Sequence, residues 1–571
     1  MEGLEIHYNS YRRKYFCLKY LLIGIVCIYS AIFLQGCMKQ DFLLNMESSL
    51  FNAAENKKSI YKLSDMGPKP GGQINIFSTI PDTFNPILTQ NQYVKDFLEL
   101  ICEPLVLLDN EQKPLPWLCS SWSYSDDGHV FAVQLRKEVK WHDGTRLTSF
   151  DVINTLDLIF SNKASIYRPL LNNIAAYEAK DFENIIFHLK KPYAFTPYSL
   201  IFPIAPKNTA KNSYSISGTG PYSVKSYVPD KYIILEKNDN WWYNQVHDNL
   251  RSNNENNTNP KITYPLIDSI KIKFYEKSTD PIKAFLADEV DIAFINLSKS
   301  ENINKYSIRP DINILAYPAT KLEFISINTK SKNLNDNKIK KFIKNEMWSV
   351  QFSQLISKPV MRVKLPFWPK SFMNHLIDID SNKSNQNDND INDIDARYFQ
   401  GIKQIKIIAN KENSHRIKLA EYLAEKLKQH GANVNIEILA WDEFLKTLYL
   451  LQYDIAFVGC DLTSTPDISY LYTKPYVDSN TPLKLAGFNF AGFEDDTADI
   501  VMNRFLSMKF EDIIESSILN EFFNIVDNQT PYVALFVFQE AIMTDRKIRA
   551  VSQPLPWRRL NEVYKWYISG E

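Results

Sequence analysis

Apolar and polar residues alternate in Val130-Phe131-Ala132-Val133-Gln134-Leu135 and again in Ile185-Ile186-Phe187-His188-Leu189, which predicts two half-buried strands bounded by Asp-Gly and Pro turns. Between them, from Asp151 to Phe160, the apolar residues fall at helical spacing. Further on, Ile405-Lys406-Ile407-Ile408, the amphipathic stretch Arg416 to His430 and Val434-Asn435-Ile436-Glu437-Ile438-Leu439 read as strand, helix and strand, with Gly431 closing the helix. Such a unit predicts an α/β layer. Pro531-Tyr532-Val533-Ala534-Leu535-Phe536-Val537 predicts one more apolar strand near the C-terminus. Ahead of these elements, Met38 to Met66 has no clear period, and Gly67-Pro68-Lys69-Pro70-Gly71-Gly72 precedes Gln73-Ile74-Asn75-Ile76-Phe77, a tether and then a first strand. Two Asn-rich stretches, Asn244 to Pro260 and Asp378 to Asp395, are too polar to build a core and predict surface loops or insertions. No internal repeat signals a solenoid.

The N-terminus follows another pattern. Arg12, Arg13, Lys14 and Lys19 precede an apolar run from Tyr20 to Leu34 that ends in Leu34-Gln35-Gly36-Cys37. The run is short for a membrane span and suits the core of an export signal. Its ending resembles a bacterial lipobox, which would make Cys37 the lipidated first residue of the mature chain, with Gln35 standing where a small residue is usual. The alternative is an uncleaved signal anchor with its N-terminus inside. Either arrangement tethers the body, beyond a leader at 1–36 and a tether at 37–66, to the periplasmic side of a bacterial envelope.

Composition narrows the class of protein. The 571 residues are 45% hydrophobic, enough for more than one compact unit at roughly 150 residues per domain. Lys plus Arg number 65 against 66 Asp plus Glu, a net charge of -1, which offers no field for nucleic acid and favours small-molecule or protein partners. Of the six cysteines, Cys17, Cys27 and Cys37 fall in the leader, leaving Cys102, Cys119 and Cys460. Three scattered cysteines form no metal or disulfide framework; a Cys102–Cys119 bridge is open to an exported protein, and three free thiols are the simpler reading.

Catalytic motifs are absent from the sequence: no His-Glu-x-x-His, no Gly-x-Ser-x-Gly elbow, no phosphate loop ending in Lys-Ser/Thr. In Trp141-His142-Asp143-Gly144-Thr145, a His beside an Asp could act as an acid-base couple. Its context instead predicts an Asp-Gly turn, with Thr148 or Ser149 capping the following helix. Gly218-Thr219-Gly220-Pro221-Tyr222 runs into a strand, where phosphate binding needs a helix N-terminus, so it predicts a tight turn with Gly at positive φ. We therefore expect no enzyme, no cofactor and no metal.

These segments together resemble the family 5 extracellular solute-binding proteins of oligopeptide, dipeptide and nickel ABC importers. The resemblance rests on Trp122-Ser123-Tyr124-Ser125-Asp126-Asp127-Gly128-His129-Val130-Phe131, then Leu135 to Thr145 and Phe150-Asp151-Val152, followed by Gly218 to Tyr222, Leu235-Glu236-Lys237-Asn238, Trp241-Trp242, Phe324-Ile325-Ser326-Ile327-Asn328-Thr329 and Tyr453-Asp454-Ile455-Ala456. It implies an α/β, two-lobed periplasmic-binding-protein fold, type II-like, closing over its ligand by a hinge. Lobe one would span 67–320, with a subdomain near 105–202, plus the returning 529–571; lobe two would span 321–528. It also implies a monomer that binds a peptide or other small solute and hands it to an importer's membrane subunits.

In that family the ligand meets the loop after the first strand and the loop after the Tyr-Asp-containing strand. Here these carry Ser78, Thr79, Phe84 and Asn85, and Gly459, Cys460, Asp461, Thr463 and Asp467. Peptide binders typically have a Trp just after that Gly and, three residues on, an Asp that pairs with the ligand's α-amino group. This chain has Cys460 and Thr463 there, leaving Asp461 or Asp467 as substitute carboxylates, with Asp467 equally readable as a helix cap. Peptide is the first choice of ligand; a modified peptide, metal chelate or sugar-like solute is the alternative, followed by an exported hydrolase or a folding-helper protein.

Overall fold

The structure, a computed structural model, describes residues 68–206, 216–252, 262–298, 309–377, 396–473, 476–477, 485–486 and 488–569. The expected leader with Cys37, the tether and the Asp378–Asp395 stretch lie outside the described residues. Among the described residues no helix is long and apolar enough to cross a membrane.

The predicted first strand is β1 (Gln73–Thr79), and helix α1 (Gln92–Leu98) follows it. A short hairpin, β2 (Val106–Leu108) with β3 (Pro114–Pro116), leads to β4 (Cys119–Tyr124) and β5 (Val130–Leu135). After helix α2 (Ser149–Ser161) come β6 (Ile174–Ala179) and β7 (Asn184–Leu189). These strands form a separate antiparallel sheet in the order β4-β5-β7-β6. The alternation seen in sequence is realised: Phe131, Val133 and Leu135 of β5 join Ile185, Phe187 and Leu189 of β7 in one core with Val152, Leu156 and Ile159 of α2. Thr148 caps α2 by a reciprocal box, its backbone N–H donating to Asp151 Oδ2 at 2.8 Å.

The main sheet has eleven strands. It adds β8 (Tyr222–Val228), β9 (Tyr232–Lys237), β10 (Ser269–Tyr275), β11 (Ile292–Asn296), the long β12 (Ile312–Ile327), β13 (Val360–Arg362) and β14 (Ile405–Asn410). Helix α3 (Ser414–Gln429), β15 (Val434–Leu439) and β16 (Ile455–Asp461) follow. A minor pair, β17 (Tyr476–Val477) and β18 (Leu485–Ala486), precedes the long β19 (Tyr532–Asp545). The order is β15-β14-β16-β12-β19-β11-β1-β10-β9-β8, with β13 beside β19. The predicted strand, helix, strand unit is β14-α3-β15: the strands pair in parallel, as a helical crossover requires, and Gly431 sits at φ +91° just past the helix. Ile407 and Ile408 point into different cores and both are fully buried, which explains a continuous apolar run where an alternating one would leave a wet face.

The first half of β12 pairs with the last half of β19 beside β11, and its second half pairs with the start of β19 beside β16. The ladder loses register between Pro318 and Leu322 and again between Glu323 and Phe324. Pro318 has no N–H to give a ladder. The molecule is thus a mixed α/β, two-lobed fold whose sheet passes from one lobe to the other through two strands.

One expectation needs correction. Gly218 and Gly220 are not at positive φ. They are glycine because the backbone of Ile101 and Leu100 lies against them: a Cβ on Gly218 would stand 1.8 Å from the Ile101 carbonyl oxygen, and one on Gly220 would stand 2.4 Å from that of Leu100. Close approach, which sequence cannot show, sets the residue type here.

Candidate ligand-binding site

The β16 strand delivers its terminal residues to a loop that the hairpin β2–β3 and the segment after β7 also reach. Gly459 stands over Arg416 and Glu323, where a Cβ would come within 2.4 Å of Arg416 Nη2, so no larger residue fits. Beneath it Glu323, 1% exposed, accepts from Arg416 Nε at 2.7 Å, while His415 Nε2 lies 3.2 Å away and Arg416 Nη1 donates to Asn410 Oδ1. Burial alone would raise the Glu323 pKa; the Arg416 charge and hydrogen bonds and the His415 contact outweigh it and hold the carboxyl below its usual value. This network is a fixed floor for the loop.

Of the loop residues, Cys460 Sγ lies 3.9 Å from Tyr470 Oη, and burial pushes its thiol up to about 11, so it is no nucleophile at neutral pH. Thr463 is exposed and donates to the Thr465 carbonyl at 2.6 Å. Asp467 Oδ2 accepts from Tyr193 Oη at 2.7 Å and Oδ1 from the Ser469 N–H at 2.9 Å, a local turn bond in place of a true cap, since Ile468 holds the cap position of the short helix. Asp461 is exposed and has no hydrogen-bond or ion-pair partner among the described residues.

The β1 loop residues are packed inward. Ser78 is fully buried and donates to the Thr79 carbonyl; Thr79 Oγ1 accepts from Asn91 Nδ2 at 2.7 Å; Asn85 Oδ1 accepts from the Ile87 N–H at 2.9 Å. Phe84 stands edge-on to Phe97, Tyr227 and Phe274. No hydrogen bond joins these four to the β16 loop; the groups that do reach it are others.

Gln112, 1% exposed and at φ +68°, donates through Nε2 to the carbonyls of Thr463 and Ser464 at 3.1 and 2.9 Å. With Nε2 fixed by two acceptors the amide cannot flip, and its Oε1 is buried with no partner. It lines a small pocket with Phe367, Trp368, Thr463, Asp467 and Tyr470. Tyr193 completes the bridge, and beside it Ala194, Phe195 and Tyr198 enter the core around Val458, Phe505 and Phe510. Sequence reasoning missed Gln112 and Tyr193 because each is more than two hundred residues from its partner; only the turn signal of Asp109 to Lys113 marked the place.

The other candidate chemistry resolves into architecture. His142 bridges to Gly218 and Gly220. Glu103 accepts Trp117, Trp241 and Trp242 indole N–H groups and the Thr219 hydroxyl, two on each oxygen. Cys102, Cys119 and Cys460 are free thiols. No group of metal-ligating residues gathers among the described residues.

Residues 113–344 match the family model for bacterial extracellular solute-binding proteins, family 5, middle region. The oligopeptide-binding protein AppA of Bacillus subtilis is 20% identical over 96% of this chain and 98% of its own length. A putative ABC transporter peptide-binding protein of Brucella ovis is 31% identical over 27% of this chain and 32% of its own. Among solved structures, the periplasmic murein tripeptide binding protein MppA in its unliganded open form matches with a TM-score of 0.69 at 14% identity, over 88% of this chain and 99% of that one.

Proposed function

We propose that this chain, similar over residues 113–344 to the family 5 bacterial extracellular solute-binding proteins, captures a peptide outside the cytoplasm and presents it to the membrane subunits of an ABC importer, without catalysing a reaction. The observation that carries the mechanism is the register break in the β12–β19 pair at Pro318–Leu322. Weak pairing in the two strands that join the lobes gives a hinge, with 67–320 on one side, 321–528 on the other, and β19 carrying the chain back across at 537–539. A ligand touching both sides then stabilises the closed state by its differential contacts, and closure is the signal an importer can read. The contacts we assign are Ser78, Thr79, Phe84 and Asn85 with Gly459, Cys460, Asp461, Thr463 and Asp467, and Gln112 as an added acceptor. The β1 residues are packed inward, so they serve by holding their loop's backbone toward the cleft. Peptide is favoured because the AppA and Brucella ovis relatives are peptide-binding proteins. Cys37, lipidated, or an uncleaved signal segment would keep the monomer at the membrane.

The test is to denature protein purified from its native host and identify released ligand by mass spectrometry, then rebind it to refolded protein. A released peptide that rebinds is the expected result. A different solute would replace peptide while leaving capture intact, and no ligand together with a Tm unmoved by a peptide library would overturn capture.

A further inference from the structure

A cavity lies away from the β16 loop, between the end of α1 with its following turn and the C-terminal segment 557–564. Three polar atoms on residues of its wall are buried without a partner: Glu99 Oε2, Arg558 Nε and Trp557 Nε1. The remaining carboxylates of the wall are engaged, Glu103 by its four donors and Glu562 by Lys565 and Ser552. Arg558 donates to the neutral Asn561 Oδ1 at 2.6 Å and makes no ion pair among the described residues. Arg558 is half-buried, and its buried Nε–H, left without an acceptor, is costly.

Glu99 faces Lys95 and Asp96 on its own helix, Arg558 and Arg559 from the C-terminal segment, and Tyr167 and Cys102 across the turn. Burial, reinforced by Asp96, pushes its carboxyl up to about 8 against the three cations. In its protonated form, which burial favours, Glu99 is a donor. The wall then offers an N–H from Arg558, an N–H from Trp557 and an O–H from Glu99, with no acceptor among the described residues.

We propose that this cavity is a binding site for a small carboxylate, accepting hydrogen bonds from Arg558 Nε, Trp557 Nε1 and the carboxyl group of Glu99. The carboxylate supplies a contacting acceptor to Arg558 Nε, whose guanidinium otherwise meets the charges of Glu562 and Asp109 only at longer range. Every wall residue comes from the 67–320 and 529–571 portions, so occupancy does not require the cleft to close and is independent of the peptide reading. Trp557 also packs on Trp368 at 4.9 Å, which connects the site to the far side of the hinge.

The experiment is calorimetric titration of the full chain with sodium acetate, and with acetamide as a neutral isostere, at constant ionic strength from about pH 6 to about pH 9. Acetate is expected to bind one site saturably, with acetamide about tenfold weaker or more. Acetate affinity should fall about tenfold per pH unit above pH 8 as Glu99 ionises and repels the ligand. Glu99→Gln, whose amide N–H replaces the carboxyl O–H, should bind acetate without that step, leaving only any shallower one from Glu103, which burial pushes up to about 7. Arg558→Met should weaken acetate about tenfold or more; if it does not fold, the Glu99→Gln profile decides alone. No saturable binding, equal binding of acetamide, or an unchanged step above pH 8 in Glu99→Gln would mean that the cavity holds ordered water only, and the proposal falls.

Discussion

At His142 the Gly218 N–H donates to Nδ1 at 3.1 Å, which leaves Nε2 to donate to the Gly220 carbonyl at 3.1 Å and fixes a neutral ring. Burial lowers its pKa below the ordinary value, against the Gly220 bond and Asp143. A histidine whose folded pKa is depressed binds its proton more readily when unfolded, so the stability it contributes is present above about pH 6.5 and is lost as pH falls through the folded value. His142→Ala should cost about 1–3 kcal/mol at pH 7, and urea melts at falling pH should show a shallower loss than the wild type; a steeper one would refute the neutral ring. Glu103 is the harder test of architecture. Replacing it with Ala strands three indole N–H groups and a hydroxyl in the core and should cost about 3–5 kcal/mol or prevent folding. The turn around His142 was legible because Asp-Gly and Thr-x-x-Asp are local signals, whereas Glu103 gathers partners from positions 117, 219, 241 and 242 and leaves no local pattern.

On the proposed function the loop leaving β16 meets the ligand, and its carboxylates are not equivalent. Asp467 already holds Tyr193 and the Ser469 N–H, and Asp461 holds nothing among the described residues. A ligand ammonium is therefore expected at Asp461, so Asp461→Ala should weaken a free-amine peptide by about 2 kcal/mol and leave its N-acetylated form unchanged. Equal losses for both forms, read by calorimetry, would remove the amine-pairing role. Asp467→Ala should instead loosen the contact with Tyr193 and weaken both forms alike. Gln112→Leu should do so as well, since it removes two hydrogen bonds to the loop backbone. Strands β5, β7, β14 and β15 were readable from their periods, and the loop's position followed from the strand before it. What the loop touches was not, because β2–β3 and the segment after β7 reach it only through tertiary packing.

For the whole molecule, the proposed function depends on two strands that would be both backbone of the sheet and axis of its motion. The start of β19 was visible in sequence as the apolar run Pro531 to Val537, but pairing 312–318 with 539–545 and 322–326 with 532–537 was not. Both faces of these strands are largely buried, so a slip in register exchanges one apolar set for another and the pattern does not choose. The break at Pro318–Leu322, with a second shift at Glu323–Phe324, interrupts the backbone pairing where bending would concentrate. Amide hydrogen exchange should therefore be faster across 319–321 than in 312–317 or 324–326, while Val537 to Gln539 opposite is held by β13. Ligand should slow 319–321, because closure holds one geometry of the joint, and should slow the β16 loop by a comparable factor. Uniform protection along β12 and β19, unchanged by a ligand that binds, would move the hinge elsewhere in the chain.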